Sequence, residues 1–100
     1  VNKKNTNLIG EITTEVSKLT GNDTVIGRGR LTGVYIHDID VTELYRRHGL
    51  GSQIVRELIG LGGRRLWCAV DNLPALAMYE KLGFKPIRED GGYYEMELVT

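Results

Sequence analysis

Tyr45-Arg46-Arg47-His48-Gly49-Leu50-Gly51-Ser52 lies between an extended apolar run and a helical pattern, and its reading decides the fold. Glycines let a backbone come close to an anion. The helix that follows opens with N–H groups that have no partner inside the helix, at the positive end of its dipole. The two arginines add planar forks suited to phosphate oxygens. The stretch therefore reads as a phosphate cradle on a loop that runs into a helix. Two common phosphate motifs do not fit it. Gly49-Leu50-Gly51 begins like a dinucleotide fingerprint, but Ile54 stands where the third glycine belongs, and no Lys-Ser/Thr pair follows as a P-loop needs.

Upstream, Val34 to Val41 reads as a strand with a slip in its pattern. Val34 and Ile36 are apolar at even positions, whereas Ile39 and Val41 are apolar at odd ones. Side chains alternate faces with period two, so one extra residue at His37-Asp38 would return both pairs to one face. A β-bulge is expected there, and bulges often flank active sites. The plainer alternative is an end of burial, with acidic side chains facing water. Two more strands are expected before it, Leu8 to Leu19 and about Thr24 to Leu31, joined by the turn cluster Thr20-Gly21-Asn22-Asp23. Gly27 and Gly29 mark the second of them as an edge or a place of close approach. Residues 1–7 are polar and are expected to fray.

Downstream, Leu50, Ile54, Leu58 and Leu61 recur at helical spacing, with Val55 and Ile59 widening the stripe, and Gly62-Gly63 ends it. Arg64 to Val70 is a short apolar strand. Strand, helix, strand implies a parallel, right-handed crossover. Asp71 or Asn72 caps a second helix with Pro74 in its first turn and Ala75, Leu76, Tyr79 and Leu82 on its buried face. Gly83 stops it. Phe84 to Ile87 and Tyr93 to Val99 form a hairpin about Asp90-Gly91-Gly92. The expected class is α/β (α+β), in the order β-β-β-α-β-α-β-β, as one domain over residues 1–100.

Composition removes several functions. The chain has 100 residues, with 13 basic against 13 acidic, so no global field favours nucleic acid or a membrane surface. No apolar run reaches the roughly 18 residues of a membrane span, and no leader is evident, so a cytoplasmic location is expected. A single cysteine, Cys68, allows no internal disulfide, and its apolar setting points to a buried thiol. His37 and His48 have no cysteine partner at ligand spacing, so no metal site is expected. Trp67 is expected in the core.

Two blocks carry a resemblance. Arg46-Arg47-His48-Gly49-Leu50-Gly51, led in by Ile39-Asp40-Val41 and Tyr45, resembles the pyrophosphate-binding signature of the GCN5-related N-acetyltransferase superfamily. Asn72-Leu73-Pro74-Ala75 with Tyr79-Glu80-Lys81-Leu82-Gly83-Phe84 is similar to that superfamily's later Asn-x-x-Ala-x-x-x-Tyr-x-x-x-Gly-Phe motif. The resemblance covers about residues 24–100. It implies a mixed, V-splayed sheet and an acetyl-CoA-dependent transferase. Acetyl-CoA would enter between the third strand and the Arg64–Val70 strand, with its pyrophosphate on Arg46, Arg47, His48, Gly49, Leu50, Gly51 and Ser52. Backbone groups of Ile39, Asp40 and Val41 would meet the pantetheine arm and the acetyl carbonyl, and Asn72 and Tyr79 would contact the cofactor.

The resemblance also implies direct attack by an amine on the thioester. Tyr79 stands where many relatives place a tyrosine acid near the sulfur; packing on an apolar helix face is its other reading. Many relatives carry a glutamate base where this chain has Tyr35. His37, two residues on, stands where some place a histidine, and imidazole titrates near neutrality. An exposed strand histidine is the alternative, and Asp38, Asp40 and Glu43 are weaker candidates. Arg64 and Arg65 either reach the adenosine phosphate or begin a solvated strand. One of Tyr93 and Tyr94 is expected in the core and the other at the acceptor mouth. Relatives usually begin with a strand and one or two helices that wall the acceptor site. Only Val1–Asn7 precede the first expected strand here, so either the sequence is a piece of a longer protein or it is a short member whose acceptor site is open or completed in a homodimer. The acceptor would be a small-molecule or peptide amine. A non-catalytic acyl-CoA-binding module is the competing reading.

Overall fold

A computed structural model describes residues 12–99 and the strand Asn5–Thr6. Those residues fall into two compact units, 1–63 and 64–100. The elements are β1 (Asn5–Thr6), β2 (Ile12–Leu19), β3 (Val25–Thr32), β4 (Tyr35–Val41), a 3-10 turn (Glu43–Tyr45), α1 (Leu50–Gly60), β5 (Arg65–Ala69), α2 (Leu73–Lys81), β6 (Phe84–Asp90) and β7 (Tyr93–Leu98). From β2 onward this is the expected α+β order, β-β-β-α-β-α-β-β, preceded by the short β1. The described part of the expected Leu8–Leu19 strand starts at Ile12, and Leu8 to Glu11 lie outside the described residues. The expected tail, residues 1–7, lies outside them too, except for β1, which pairs antiparallel with β2.

In the first unit β2, β3 and β4 pair antiparallel in sequence order. β3 therefore lies between two neighbours, and its glycines mark close approach rather than an edge. A Cβ on Gly29 would stand 2.5 Å from Ile39 Cδ1, 2.8 Å from Ile54 Cγ2 and 2.9 Å from Leu58 Cδ1. One on Gly27 would stand 2.9 Å from Ile54 Cδ1 and 3.0 Å from Leu50 Cδ2. Helix α1 rests its apolar side chains directly on bare β3 backbone. Leu31, Ile36, Ile54, Val55 and Leu58 form the buried core of this unit. Lys18, opposite Gly27 in the ladder, ion-pairs with Glu57 and ties β2 to the same helix.

The expected bulge is present. Arg30 pairs with His37 and Arg28 with Asp40, so Gly29 alone faces Asp38 and Ile39. Asp38 takes φ 53°, a left-handed conformation that lets the strand absorb the extra residue. Ile36, Ile39 and Val41 thereby share the face under α1, while His37, Asp38 and Asp40 share the other. Val34 does not join them: it lies in the β3–β4 turn and is exposed.

Helix α1 ends as Gly62-Gly63 suggested. Gly63 N–H donates to the Leu58 carbonyl at 2.9 Å and Gly62 N–H to that of Ile59 at 3.0 Å, with Gly62 at φ 110°. This is the Schellman arrangement of bonds. Leu61, expected in the apolar stripe, is instead the exposed C-cap residue.

In the second unit β7 pairs antiparallel with both β5 and β6. Gly91 and Gly92 both take positive φ, 57° and 85°, in a two-residue loop between the paired Asp90 and Tyr93, which is a type I′ turn. β6 runs on to Asp90, beyond the expected end at Ile87. Leu66, Cys68, Tyr79, Phe84 and Met96 are buried. Trp67 is not: it is 39% exposed and lies under the Arg88 guanidinium, 4.9 Å from the ring centroid. Its strand alternates with Leu66 and Cys68 inward, so Trp67 must face outward. Glu95 beside it is buried, held by Arg88 Nε at 2.7 Å and Arg65 at 3.8 Å. Arg65 also donates to Glu97 at 2.9 Å, which commits it to the strand.

The close approach at Gly29 can be measured. Gly29→Ala is expected to lower unfolding stability by about 1–3 kcal/mol through overpacking. Gly60→Ala, on the open side of α1 with nothing near the added methyl, is expected to raise it by about 0.5–1 kcal/mol. Urea titrations of both variants against the parent check the two signs.

Candidate functional site

The cradle begins where β4 ends. Val41 is followed by a single 3-10 turn, closed by Tyr45 N–H to Thr42 O at 2.8 Å and Arg46 N–H to Glu43 O at 3.2 Å. Arg46 then folds back, its Nε donating to the Val41 carbonyl at 2.8 Å. Arg47 and Gly49 take positive φ, 65° and 78°. For arginine that conformation is strained by roughly 1–2 kcal/mol. The chain thus reverses twice before α1 starts at Leu50. Gly49 is the N-cap residue and offers no side-chain cap. The first bond of the helix runs from Gln53 N–H to the Gly49 carbonyl at 3.0 Å. Among the described residues, the N–H groups of Arg47, His48, Gly49, Leu50, Gly51 and Ser52 meet no acceptor. Arg46, Arg47, His48 and Gly49 are exposed there. A row of unpaired N–H groups lies at a helix N-terminus, with two exposed arginines in the loop before it, and nothing acidic follows in the first helical turn. The residues present fit a polyphosphate.

Ile39, Asp40 and Val41 lead into this loop. On the β3 side, Asp40 and Val41 keep their partners Arg28 and Gly27, and the ladder is interrupted at Asp38 and Ile39. His37 sits beside that interruption in a hydrogen-bonded chain. Its Nδ1 is 3.1 Å from Asp38 Oδ2, its Nε2 is 2.8 Å from the Thr32 hydroxyl, and Thr32 is 2.6 Å from the Thr13 hydroxyl. The carboxylate accepts only, so Nδ1 carries the proton toward Asp38 and Nε2 is the basic nitrogen. His37 is thus an oriented imidazole, more than a strand side chain facing water.

In the second unit, Asn72 is the N-cap of α2. Its Oδ1 accepts from Ala75 N–H at 3.3 Å, and Pro74 occupies the first turn. Capping uses the amide oxygen and leaves the NH2 group. Tyr79 packs edge-on against Phe84, with ring centroids 6.0 Å apart. Burial, and then the neighbouring Cys68 thiol, push its phenol up to about 12. It is a protonated hydroxyl at any physiological pH. Burial also pushes the Cys68 thiol up. Tyr94 is half-buried and Tyr93 exposed, as their alternation requires.

Two further residues, passed over in the sequence, face the site strand. Arg28 and Arg30 alternate with Gly27 and Gly29, so both side chains project from the face opposite α1. There Arg28 lines a hollow of about 210 Å³ with Asp40 and Thr42, and Arg28 and Arg30 together line an adjoining one of about 260 Å³ with Asp38, Ile39 and Asp40. The Gly-Arg-Gly-Arg alternation was the available signal. No group of potential metal ligands occurs among the described residues, and no helix among them is long and apolar enough to cross a membrane.

A family model described as the acetyltransferase (GNAT) family matches residues 4–84. The fold recurs in solved structures. PaiA N-acetyltransferase from Thermoplasma acidophilum, in complex with coenzyme A, is 20% identical with a TM-score of 0.76, over 88% of this chain and 61% of that one. A protein from Pyrococcus horikoshii is 20% identical with a TM-score of 0.67, over 81% of this chain and 62% of that one. IAA acetyltransferase from Bacillus cereus is 21% identical with a TM-score of 0.68, over 88% of this chain and 77% of that one. The chain spans less than two thirds of the length of the first two, and at these identities the likeness is one of fold. The family model reaches from the strands before the cradle, through it, to the Gly83-Phe84 end of the second block, and the chain belongs to the GNAT acetyltransferase family.

Proposed function

We propose that the chain transfers an acetyl group from acetyl-CoA to a primary amine. The observation that carries this reading is the row of unpaired N–H groups from Arg47 to Ser52 at the start of α1. Coenzyme A presents a pyrophosphate, the ligand such a row suits. Arg46 and Arg47 add charge, and the family motif implies a cofactor contact for Asn72.

Bound acetyl-CoA would supply an activated acetyl group as a thioester. The chain has three tasks. His37, oriented by Asp38, takes a proton from the acceptor ammonium by way of the Thr32 hydroxyl, which passes its own proton to Nε2 and receives that of the ammonium. The free amine attacks the carbonyl carbon, a C–N bond forms, and backbone N–H groups along Ile39–Val41 bear the developing oxyanion. The C–S bond then breaks, and Tyr79, protonated because it is buried, donates to the leaving sulfur. The amine has become an amide, the thioester a thiol, and one proton is released to solvent overall.

Three measurements test the reading. Calorimetry is expected to show coenzyme A binding that weakens as salt rises. Arg47→Gly removes a charge-assisted contact and also the strained φ, so affinity is expected to fall about tenfold while stability holds or rises. Absence of coenzyme A binding by the parent chain at millimolar concentration would falsify the proposal. Tyr79→Phe is expected to lower kcat by about a hundredfold or more in a thiol-release assay over a panel of amines. Equal kcat for the two proteins makes Tyr79 a packing residue, and no turnover with intact coenzyme A binding favours a non-catalytic module.

Tyr79 also predicts a pH dependence of stability. Its phenol ionises near 10 when unfolded and near 12 when folded, so the unfolded state loses its proton first. The contribution is complete below pH 10 and is lost as pH rises toward 12, by roughly 2–3 kcal/mol. Urea unfolding from pH 9 to 12 is expected to show that decline in the parent and a shallower one in Tyr79→Phe.

A further inference from the structure

The sheet face opposite α1 carries charges of both signs, and two of them, Arg28 and Asp40, close no ion pair although the Arg28 charge is felt by Glu15. Arg30 is committed: its Nε lies 3.2 Å from Glu15 Oε1, and its NH1 lies 3.5 Å from Asp38 Oδ2. Glu15 is held below the usual carboxylate range, first by its hydrogen bond from Arg30 and then by that from Ser17. Asp38 is further bound to His37. Arg28 and Asp40 differ. They are direct partners in the β3–β4 ladder, on one face, where paired Cβ atoms stand about 4.5–5.5 Å apart. Yet they close no ion pair, and neither side chain makes a hydrogen bond among the described residues. Both are exposed, and both line each of the two hollows. A guanidinium and a carboxylate that close no ion pair thus share the walls of one trough, whose floor includes Ile39 at the bulge.

We infer that this trough binds the acceptor, and that the acceptor is a small amine that also bears a carboxylate, an amino-acid-type molecule. Arg28 takes its carboxylate and Asp40 its ammonium group. The assignment rests on the acetyltransferase reading for the word acceptor, and on the trough alone for the binding. A ligand with both charges satisfies both walls, whereas a plain diamine leaves Arg28 facing a second cation. The trough also opens beside His37 and Asp38, the pair given the proton-taking role.

The test separates the two claims. Lysine and its decarboxylated counterpart cadaverine are titrated into the full chain and followed by the backbone amide signals of residues 28 and 40 in NMR. Coenzyme A binding is measured in the same samples. Lysine is expected to move those signals and to bind at least about tenfold more tightly than cadaverine. Arg28→Ala is expected to remove that preference while coenzyme A binding persists, which also shows that the variant folds. Arg28→Glu is expected to invert the preference toward cadaverine. Equal affinity for the two ligands, or a lysine preference that survives Arg28→Ala, overturns the inference. Loss of coenzyme A binding in the parent with the lysine preference intact overturns the acetyltransferase reading and leaves the trough standing.

Discussion

The contact on which the first unit depends is that of helix α1 with the bare backbone of β3. Gly27 and Gly29 leave room for Leu50, Ile54 and Leu58 to reach the strand itself, so the helix axis is drawn down onto the sheet. Any side chain at either position would lift it. Because Leu50 is both the first helical residue and one of the groups seated on Gly27, this contact also fixes where the helix begins. The cradle is therefore held from below by packing and from behind by the Arg46 bond to Val41. An anion site made of backbone needs such support, since N–H groups select a ligand only when their directions are set before it arrives.

The bulge at Asp38 divides labour across β4. It puts Ile36, Ile39 and Val41 under the helix, and it turns His37, Asp38 and Asp40 to the polar face. Without the extra residue, either the isoleucines or the titratable side chains would lie on the wrong side. One strand can thus present an apolar face to the core and a titratable face to solvent at once. The cost is a non-glycine residue at positive φ, offset by the hydrogen bonds of its carboxylate to His37 and Arg30.

Much of this was legible in the sequence because its signals are local. Asp90-Gly91-Gly92 fixes a tight turn, Gly62-Gly63 ends a helix by backbone conformation alone, and the parity slip in β4 reports the bulge. Asn72 and Asp71 were equal candidates for the cap, and only the observed bond to Ala75 separates them. What was not legible depends on partners far apart in the chain. Trp67 was expected inside because tryptophan is apolar, but its outward parity and the Arg88–Glu95 pair across the strands decide otherwise. Leu61 fits the helical stripe yet lies one residue past the last turn. The juxtaposition of Arg28 and Asp40 follows from a cross-strand register that no window of sequence contains.

Cys68 has a practical consequence. The chain carries one thiol, and it is buried with its ionisation suppressed. The thiolate is the species that reacts with disulfides and oxidants. A folded sample therefore contributes little background to any colorimetric reagent that counts sulfhydryl groups. It also resists covalent cross-linking between copies during storage in air. A growing sulfhydryl signal from the protein alone would instead time its unfolding.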